Sequence, residues 1–215
     1  MAPFLAPELE WDFQIPRVQS INASGHKYGL VYPGVGWAVW RDKEALPREL
    51  VFDVNYLGGH MPTFSLNFSR PGSEVIAQYF MFMAFGREGY RKMMQNLQEI
   101  AMHISAGVAE IGPYNLISNG DELPVFAFAL SPEVKNYTVF DVSDRLRERG
   151  WLVPAYTFPA NRQDLSVLRV VVRAGMHIEM ADQLLEFLAQ QTEHLESLTA
   201  PLPGAATSKR TAFAH

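Results

Sequence analysis

The chain has 215 residues, 48% of them hydrophobic and 19% charged, which is enough apolar material for one large domain or two small ones. A formal net charge of -5 with no basic block argues against a nucleic-acid groove or an anionic membrane surface as the main partner. With no cysteine, disulfides, thiolate metal sites and cysteine nucleophiles are excluded, and a reducing compartment is compatible with the composition. The first fifteen residues lack a basic segment followed by a continuous apolar one, and no run reaches the ~18 apolar residues of a membrane span. A cytoplasmic protein is the simplest reading.

In chain order, Pro3, Pro7 and Pro16 punctuate an extended start, and "VQSINAS" and "GVGWAVWR" then read as two short strands rich in branched and aromatic residues. Residues 1 to 40 supply only two or three strands, too few for a sheet of their own. From Glu74 to Ile111 the period changes. Tyr90, Met93, Met94, Leu97, Ile100, Ala101, Ile104, Val108 and Ile111 recur at three- and four-residue spacing, the mark of an amphipathic helix, with a break expected near Gly86 and Gly89. Gly112-Pro113 stops it, because proline cannot continue the hydrogen-bond ladder.

Beyond that stop, "YNLIS", "PVFAFAL" and "LSVLRVVVR" read as strands, and "TVFDVSDRLRERG" and "MADQLLEFLAQQTEHLESL" as helices. Thr138 is placed to cap the first of these helices and Gly150 to end it. The expected organisation is a portion of a larger domain over 1–110, a small α+β domain over 111–198, and a mobile tail over 199–215 rich in proline, glycine and small polar residues.

The stretch "SGHKYG", Ser24 to Gly29, is a candidate for lysine chemistry. Glycines on both sides of Lys27 let the backbone approach a bulky group, and His26 and Tyr28 offer flat surfaces beside it. A lysine that forms a Schiff base must lose its proton, which desolvation or a neighbouring cation promotes. The same local pattern also describes a surface turn with a solvated lysine. In "LSVLRVVVR", alternation puts Val167, Arg169, Val171 and Arg173 on one face and Leu168, Val170 and Val172 on the other. An arginine at mid-strand among valines calls for an anionic ligand, an internal carboxylate or an edge strand. His60, His103, His177 and His194 share no metal-ligand spacing, so no metal site is expected.

"SINASGHKYGL", followed in order by "GVGWAVWRDKEALPRELVF", "NYLGG" and "FSRPGS", resembles the carboxy-terminal half of the pyridoxal-phosphate-dependent glutamate decarboxylases, group II decarboxylases of fold type I. The resemblance runs from about Ala2 to about Leu198. It implies an α/β fold: the carboxy-terminal part of a fold-type-I large domain, followed by a small α+β domain.

Residue by residue, the resemblance implies that Lys27 forms the Schiff base with pyridoxal 5'-phosphate, that His26 stacks near the cofactor and that Ser24 contacts its phosphate. Ser69 matches a serine that reaches the phosphate of the neighbouring subunit, which would make the site a property of an oligomer. Arg169 matches the arginine that grips the α-carboxylate of L-glutamate through a planar fork. Tyr56, beside Gly58-Gly59, matches a tyrosine of a mobile loop that helps protonate the product carbon. His215 matches only loosely a carboxy-terminal histidine of bacterial relatives, since "TSKRTAFAH" differs from their tails.

Members of that family are about twice this length, and the aspartate that pairs with the pyridinium nitrogen, the main phosphate-binding serines and the residues that read the distal carboxylate lie upstream of the matched portion. The resemblance therefore implies a glutamate decarboxylase making 4-aminobutanoate and carbon dioxide, whose other half is another polypeptide or was lost from the gene. An inactive fragment or assembly module pairing with a full-length paralogue, and a decarboxylase of another amino acid, remain open readings. Uncovered apolar faces are expected to cause oligomerisation or poor solubility.

Overall fold

The computed structural model describes residues 2–55, 58–63 and 72–203, and the chain divides into two compact units, Met1–Arg91 and Lys92–His215. The division falls inside the longest helix.

In the first unit a short helix α1 (Ala2–Leu5) leads to strands β1 (Ser20–Ser24) and β2 (Gly36–Trp40), which pair antiparallel from Ser20 opposite Trp40 to Ser24 opposite Gly36. These are the two strands expected from their branched and aromatic content. Arg41, just after β2, donates to the carbonyls of Val18 (2.9 Å) and Ile15 (2.7 Å) and lies over the Phe13 ring, tying the proline-punctuated start to the ribbon. A second ribbon, β3 (Phe52–Val54) with β4 (Met61–Thr63), was not legible in the sequence, because three-residue strands leave no measurable alternation.

Helix α2 (Gly72–Glu110) confirms the periodic stretch, and its break lies at Gly86, whose φ of 56° and ψ of -172° are non-helical. Nothing lies within 4 Å of where a Gly86 Cβ would sit, so glycine is required there by backbone conformation and not by space. Before the kink, an apolar face is left uncovered: Ile76 is 71%, Tyr79 65%, Phe80 66% and Met83 68% exposed. The polar residue in that run, Gln78, is fully buried instead.

Gln78 packs beneath the turn that joins β1 to β2. A Cβ on Gly25 would sit 2.6 Å from Val35 Cγ1 and 2.8 Å from Gln78 Oε1; one on Gly29 would sit 2.5 Å from the Gly25 carbonyl oxygen and also against Gln78. The Gly29 carbonyl accepts from Gln78 Nε2 (2.9 Å) and from the Tyr90 hydroxyl (3.0 Å). Tyr90 is itself buried among Phe4, Phe82 and Phe85, at ring separations of 5.7, 5.6 and 6.0 Å. The aromatic residues of this unit thus hold the turn in a fixed shape.

The second unit is an antiparallel sheet in the order β5-β6-β8-β7, formed by β5 (Tyr114–Leu116), β6 (Val125–Leu130), β7 (Ala155–Thr157) and β8 (Ser166–Val171), with α3 (Val139–Arg147) and α4 (Ile178–Glu196). Its core joins Ile104 and Val108 of α2 to Phe126, Phe128, Val142, Leu146, Leu168, Leu188 and Leu195, all nearly inaccessible. Thr138 caps α3 in a reciprocal capping box with Asp141, as its position before the apolar run predicts. Gly107 lets α4 approach closely, since a Cβ there would sit 2.5 Å from Leu185 Cδ1. The Tyr114 hydroxyl meets Thr192 Oγ1 at 2.7 Å, and Thr192 in turn donates to the Leu188 carbonyl, so the pair is satisfied inside the core. No helix among the described residues is long and apolar enough to cross a membrane.

Two outcomes follow from this packing. Gly29→Ala forces a Cβ into the Gly25 backbone and destabilises the fold by about 1–3 kcal/mol in urea or thermal melting, whereas Gly36→Ala, whose Cβ meets its nearest atom at 3.4 Å, changes it far less. Burial, reinforced by the Glu196 charge, pushes the Tyr137 hydroxyl from 10.0 up to about 12, and burial pushes Tyr114 up as well. Both phenols are neutral in either state below pH 10.0. Above it the unfolded chain releases protons that the folded one keeps, so stability falls as pH rises from 10.0 to about 12. The Tyr137 hydroxyl has no partner among the described residues, so Tyr137→Phe changes neutral-pH stability by less than about 1 kcal/mol. Melting curves across that pH range will show the loss blunted in this variant.

Candidate active site

Ser24, His26 and Lys27 come from one short segment. Ser24 is the last residue of β1 and half-buried; its carbonyl accepts from the Lys27 amide at 3.4 Å. Gly25 is buried, its amide bound to the Val35 carbonyl (3.1 Å) and its own carbonyl to the Val31 amide (3.4 Å). The chain is therefore anchored on both sides of the next two residues. His26 and Lys27 are exposed. This is the arrangement a reactive lysine needs: a flexible amine on a backbone that cannot drift, with an imidazole and a hydroxyl within three residues. Tyr28 is partly buried, and its phenol is pushed up by that burial.

Arg169 belongs to the second unit, on β8 opposite Ala127 of β6. The alternation read from the sequence holds around it: Leu168, Val170 and Val172 are buried, while Arg169, Val171 and Arg173 are exposed. Val167 is buried too, against that alternation. Because β8 lies between β6 and β7 it is no edge strand. The Arg169 guanidinium lies over the Tyr156 ring at 5.4 Å, and Tyr156 stacks on Phe158 at 6.1 Å. A stacked guanidinium keeps its in-plane N–H fork free for a planar anion. Beside it lies a cavity of about 560 Å³ lined by Trp151, Pro154, Arg169, Arg173, Met176 and Leu184 among others, apolar walls with two cations.

Tyr56, Ser69 and His215 lie outside the described residues. Along the sequence Tyr56 falls between β3 and β4, as does Gly58, whose φ is 85°. His103 pairs with Asp182 at 2.7 Å and His177 with Glu179 at 2.9 Å, and no metal-holding cluster exists among the described residues. Reading the sequence missed two contributors. Tyr156 carries no motif. Gln78 did carry a signal, as the polar residue in "VIAQYF", where an amide amid apolar neighbours implies a buried partner.

Known proteins share both the sequence and the fold of this chain. Residues 1–131 match the model of the pyridoxal-dependent decarboxylase conserved domain. Glutamate decarboxylase 5 of Arabidopsis thaliana is 49% identical over 92% of this chain, and glutamate decarboxylase alpha of Listeria monocytogenes 45% identical over 99%. The chain spans 40% and 46% of those two proteins. Among solved structures, the glutamate decarboxylase of Lactobacillus brevis superposes with a TM-score of 0.84 at 45% identity, over 92% of this chain and 45% of its own. Tryptophan decarboxylase of Catharanthus roseus, at 16% identity and a TM-score of 0.64 over 84% of this chain and 40% of its own, shares the fold alone. That fold is the fold type I of pyridoxal-phosphate enzymes, of which the chain carries part of the large domain. The chain belongs to the pyridoxal-dependent decarboxylase family.

Proposed function

We propose that this chain is the carboxy-terminal portion of a glutamate decarboxylase, with Lys27 as the residue that binds pyridoxal phosphate covalently. The observation that carries this reading is the anchored turn. Gly25 and Gly29 leave no room for a Cβ, and the exposed residues His26 and Lys27 lie between them along the chain. The residues present fit the cofactor in kind: an amine for its aldehyde, an imidazole face for its ring, and the Ser24 hydroxyl for its phosphate.

When bound, pyridoxal phosphate supplies the electron sink that lets the bond between the α-carbon and its carboxylate break. The protein's part is to bind, orient and deliver protons. Lys27 acts from its neutral form, since a protonated amine cannot attack a carbonyl. His26 would present its imidazole face to the ring and limit its tilt. The Arg169 fork, already oriented by the Tyr156 ring, binds the α-carboxylate through two parallel hydrogen bonds. The Tyr56 hydroxyl gives the α-carbon the proton that replaces the lost carboxylate, so that glutamate leaves as 4-aminobutanoate and carbon dioxide. Ser69 would serve a phosphate bound by a neighbouring copy.

A homo-oligomer, or a polypeptide supplying the remaining portion, belongs to the same reading. The uncovered face of α2 with Ile76, Tyr79, Phe80 and Met83 supports it, because monomers rarely leave contiguous apolar surface of that kind exposed. A cytoplasmic setting is in keeping with the lack of cysteine.

Borohydride reduction of the chain with pyridoxal phosphate, followed by peptide mass mapping, is expected to place the adduct on Lys27 and to lose it in Lys27→Ala; adducts spread evenly over Lys43, Lys92 and Lys135 would refute the assignment. Arg169→Lys keeps the charge and loses the fork. It should raise the glutamate concentration needed to perturb the cofactor absorbance about tenfold or more while leaving adduct formation intact.

A further inference from the structure

Gln78 takes no part in the chemistry above, yet it is the most completely buried polar residue among the described residues of the first unit. Its Nε2 donates to the Gly29 carbonyl at 2.9 Å, and the Tyr90 hydroxyl donates to the same oxygen at 3.0 Å. Gln78 Nε2 also donates to the Tyr90 hydroxyl oxygen, at 3.4 Å. Both lone pairs of the Gly29 oxygen are thus engaged, which fixes the plane of the peptide two residues beyond Lys27. The orientation of the Gln78 amide follows, since turning it over would set oxygen against oxygen at Gly29.

Its other atom shows what the arrangement sacrifices. Gln78 Oε1 is buried with no hydrogen-bond partner among the described residues, and it rests against the Cβ-less faces of Gly25 and Gly29. A methionine of similar length would fill the same space without leaving an amide oxygen unpaired, so stability alone does not account for glutamine here. Its two donations, to the Gly29 carbonyl and to the hydroxyl that shares it, set it apart from methionine.

We propose that Gln78, seconded by Tyr90, is a positioning residue for Lys27: it clamps the Gly29 carbonyl and so sets where the lysine-bearing turn presents its amine. The turn's anchoring on the β2 side comes from the Val35 carbonyl and holds Gly25. The Gln78 contact holds the opposite end, and Lys27 lies between the two. The functional meaning of the clamp rests on the reading of Lys27 given above; the clamp itself rests on the geometry of the turn.

The test uses the full chain with Gln78→Met, Gln78→Glu and Tyr90→Phe. Two readouts are taken together: amide hydrogen exchange over residues 24–31, and the ratio of borohydride-trapped pyridoxal phosphate on Lys27 to that on the exposed Lys43 in the same molecules, followed against pH. Gln78→Met is expected to speed exchange in 24–31 about tenfold, to leave exchange in 114–196 unchanged, and to lower the Lys27 to Lys43 ratio by about the same factor. Tyr90→Phe should do the same to a lesser degree, and Gln78→Glu, which sets a carboxylate against a carbonyl, at least as much as Gln78→Met. A folded Gln78→Met with unchanged exchange and an unchanged ratio overturns the inference; so does a uniform rise in exchange over the whole chain, which would mark Gln78 as ordinary core. Where Gln78→Met fails to fold, Tyr90→Phe supports or overturns the clamp by the same two readouts. A wild-type chain with no preference for Lys27, but with the exchange effect present in the variants, would refute the cofactor reading and leave the clamp standing.

Discussion

The first unit turns on a single carbonyl oxygen. Gly29 O is the meeting point of a β-ribbon turn and a helix, and each group that reaches it is held by something larger: Tyr90 by a cluster of phenylalanines, Gln78 by full burial on α2. That convergence works only because two glycines remove the atoms that would keep the backbone away. A peptide dipole bonded twice inside a low-dielectric interior is far harder to reorient than one facing water. The His26 and Lys27 side chains, by contrast, stand outside this interior and are exposed.

The second unit is built differently. Several of its buried polar groups are paired inside the core, Ser143 with the Val153 carbonyl, Tyr114 with Thr192 and Ser105 with the Asn119 carbonyl, while the Tyr137 hydroxyl has no partner among the described residues. The sheet beneath Arg169 is closed by its own helices and needs no outside partner to bury Phe126, Phe128 or Leu168. The arginine is therefore displayed on a finished scaffold. In the first unit the apolar face of α2 is unfinished, and the two halves of the chain differ in how much of their stability they can generate alone.

What the sequence made legible follows the strength of each physical signal. The long helix, its stop at Gly112-Pro113, the capped α3, and the strands around Phe126 and Val170 stood out because their periods run over many residues. The β3–β4 ribbon and β7 were invisible, being three residues each and defined by pairing across the chain. The lysine turn was visible as "SGHKYG", but its support was not: Gln78 lies 49 residues from the carbonyl it binds, a separation no local pattern encodes. Arg169 stood out as anomalous in a valine strand, and its stacking on Tyr156 explains how it is accommodated there.

The kink at Gly86 has a geometric meaning for that turn. Gln78 and Tyr90 are twelve residues apart, and a straight helix would separate their Cα atoms by about 18 Å at 1.5 Å per residue. That exceeds the combined reach of a glutamine side chain, a tyrosine ring and the 3.4 Å gap observed between their ends. The bend at Gly86 folds the two helical arms toward each other like the jaws of a calliper, and the object gauged between the tips is the Gly29 oxygen. The angle of that kink therefore sets how far apart the two side chains stand when both reach the Gly29 oxygen.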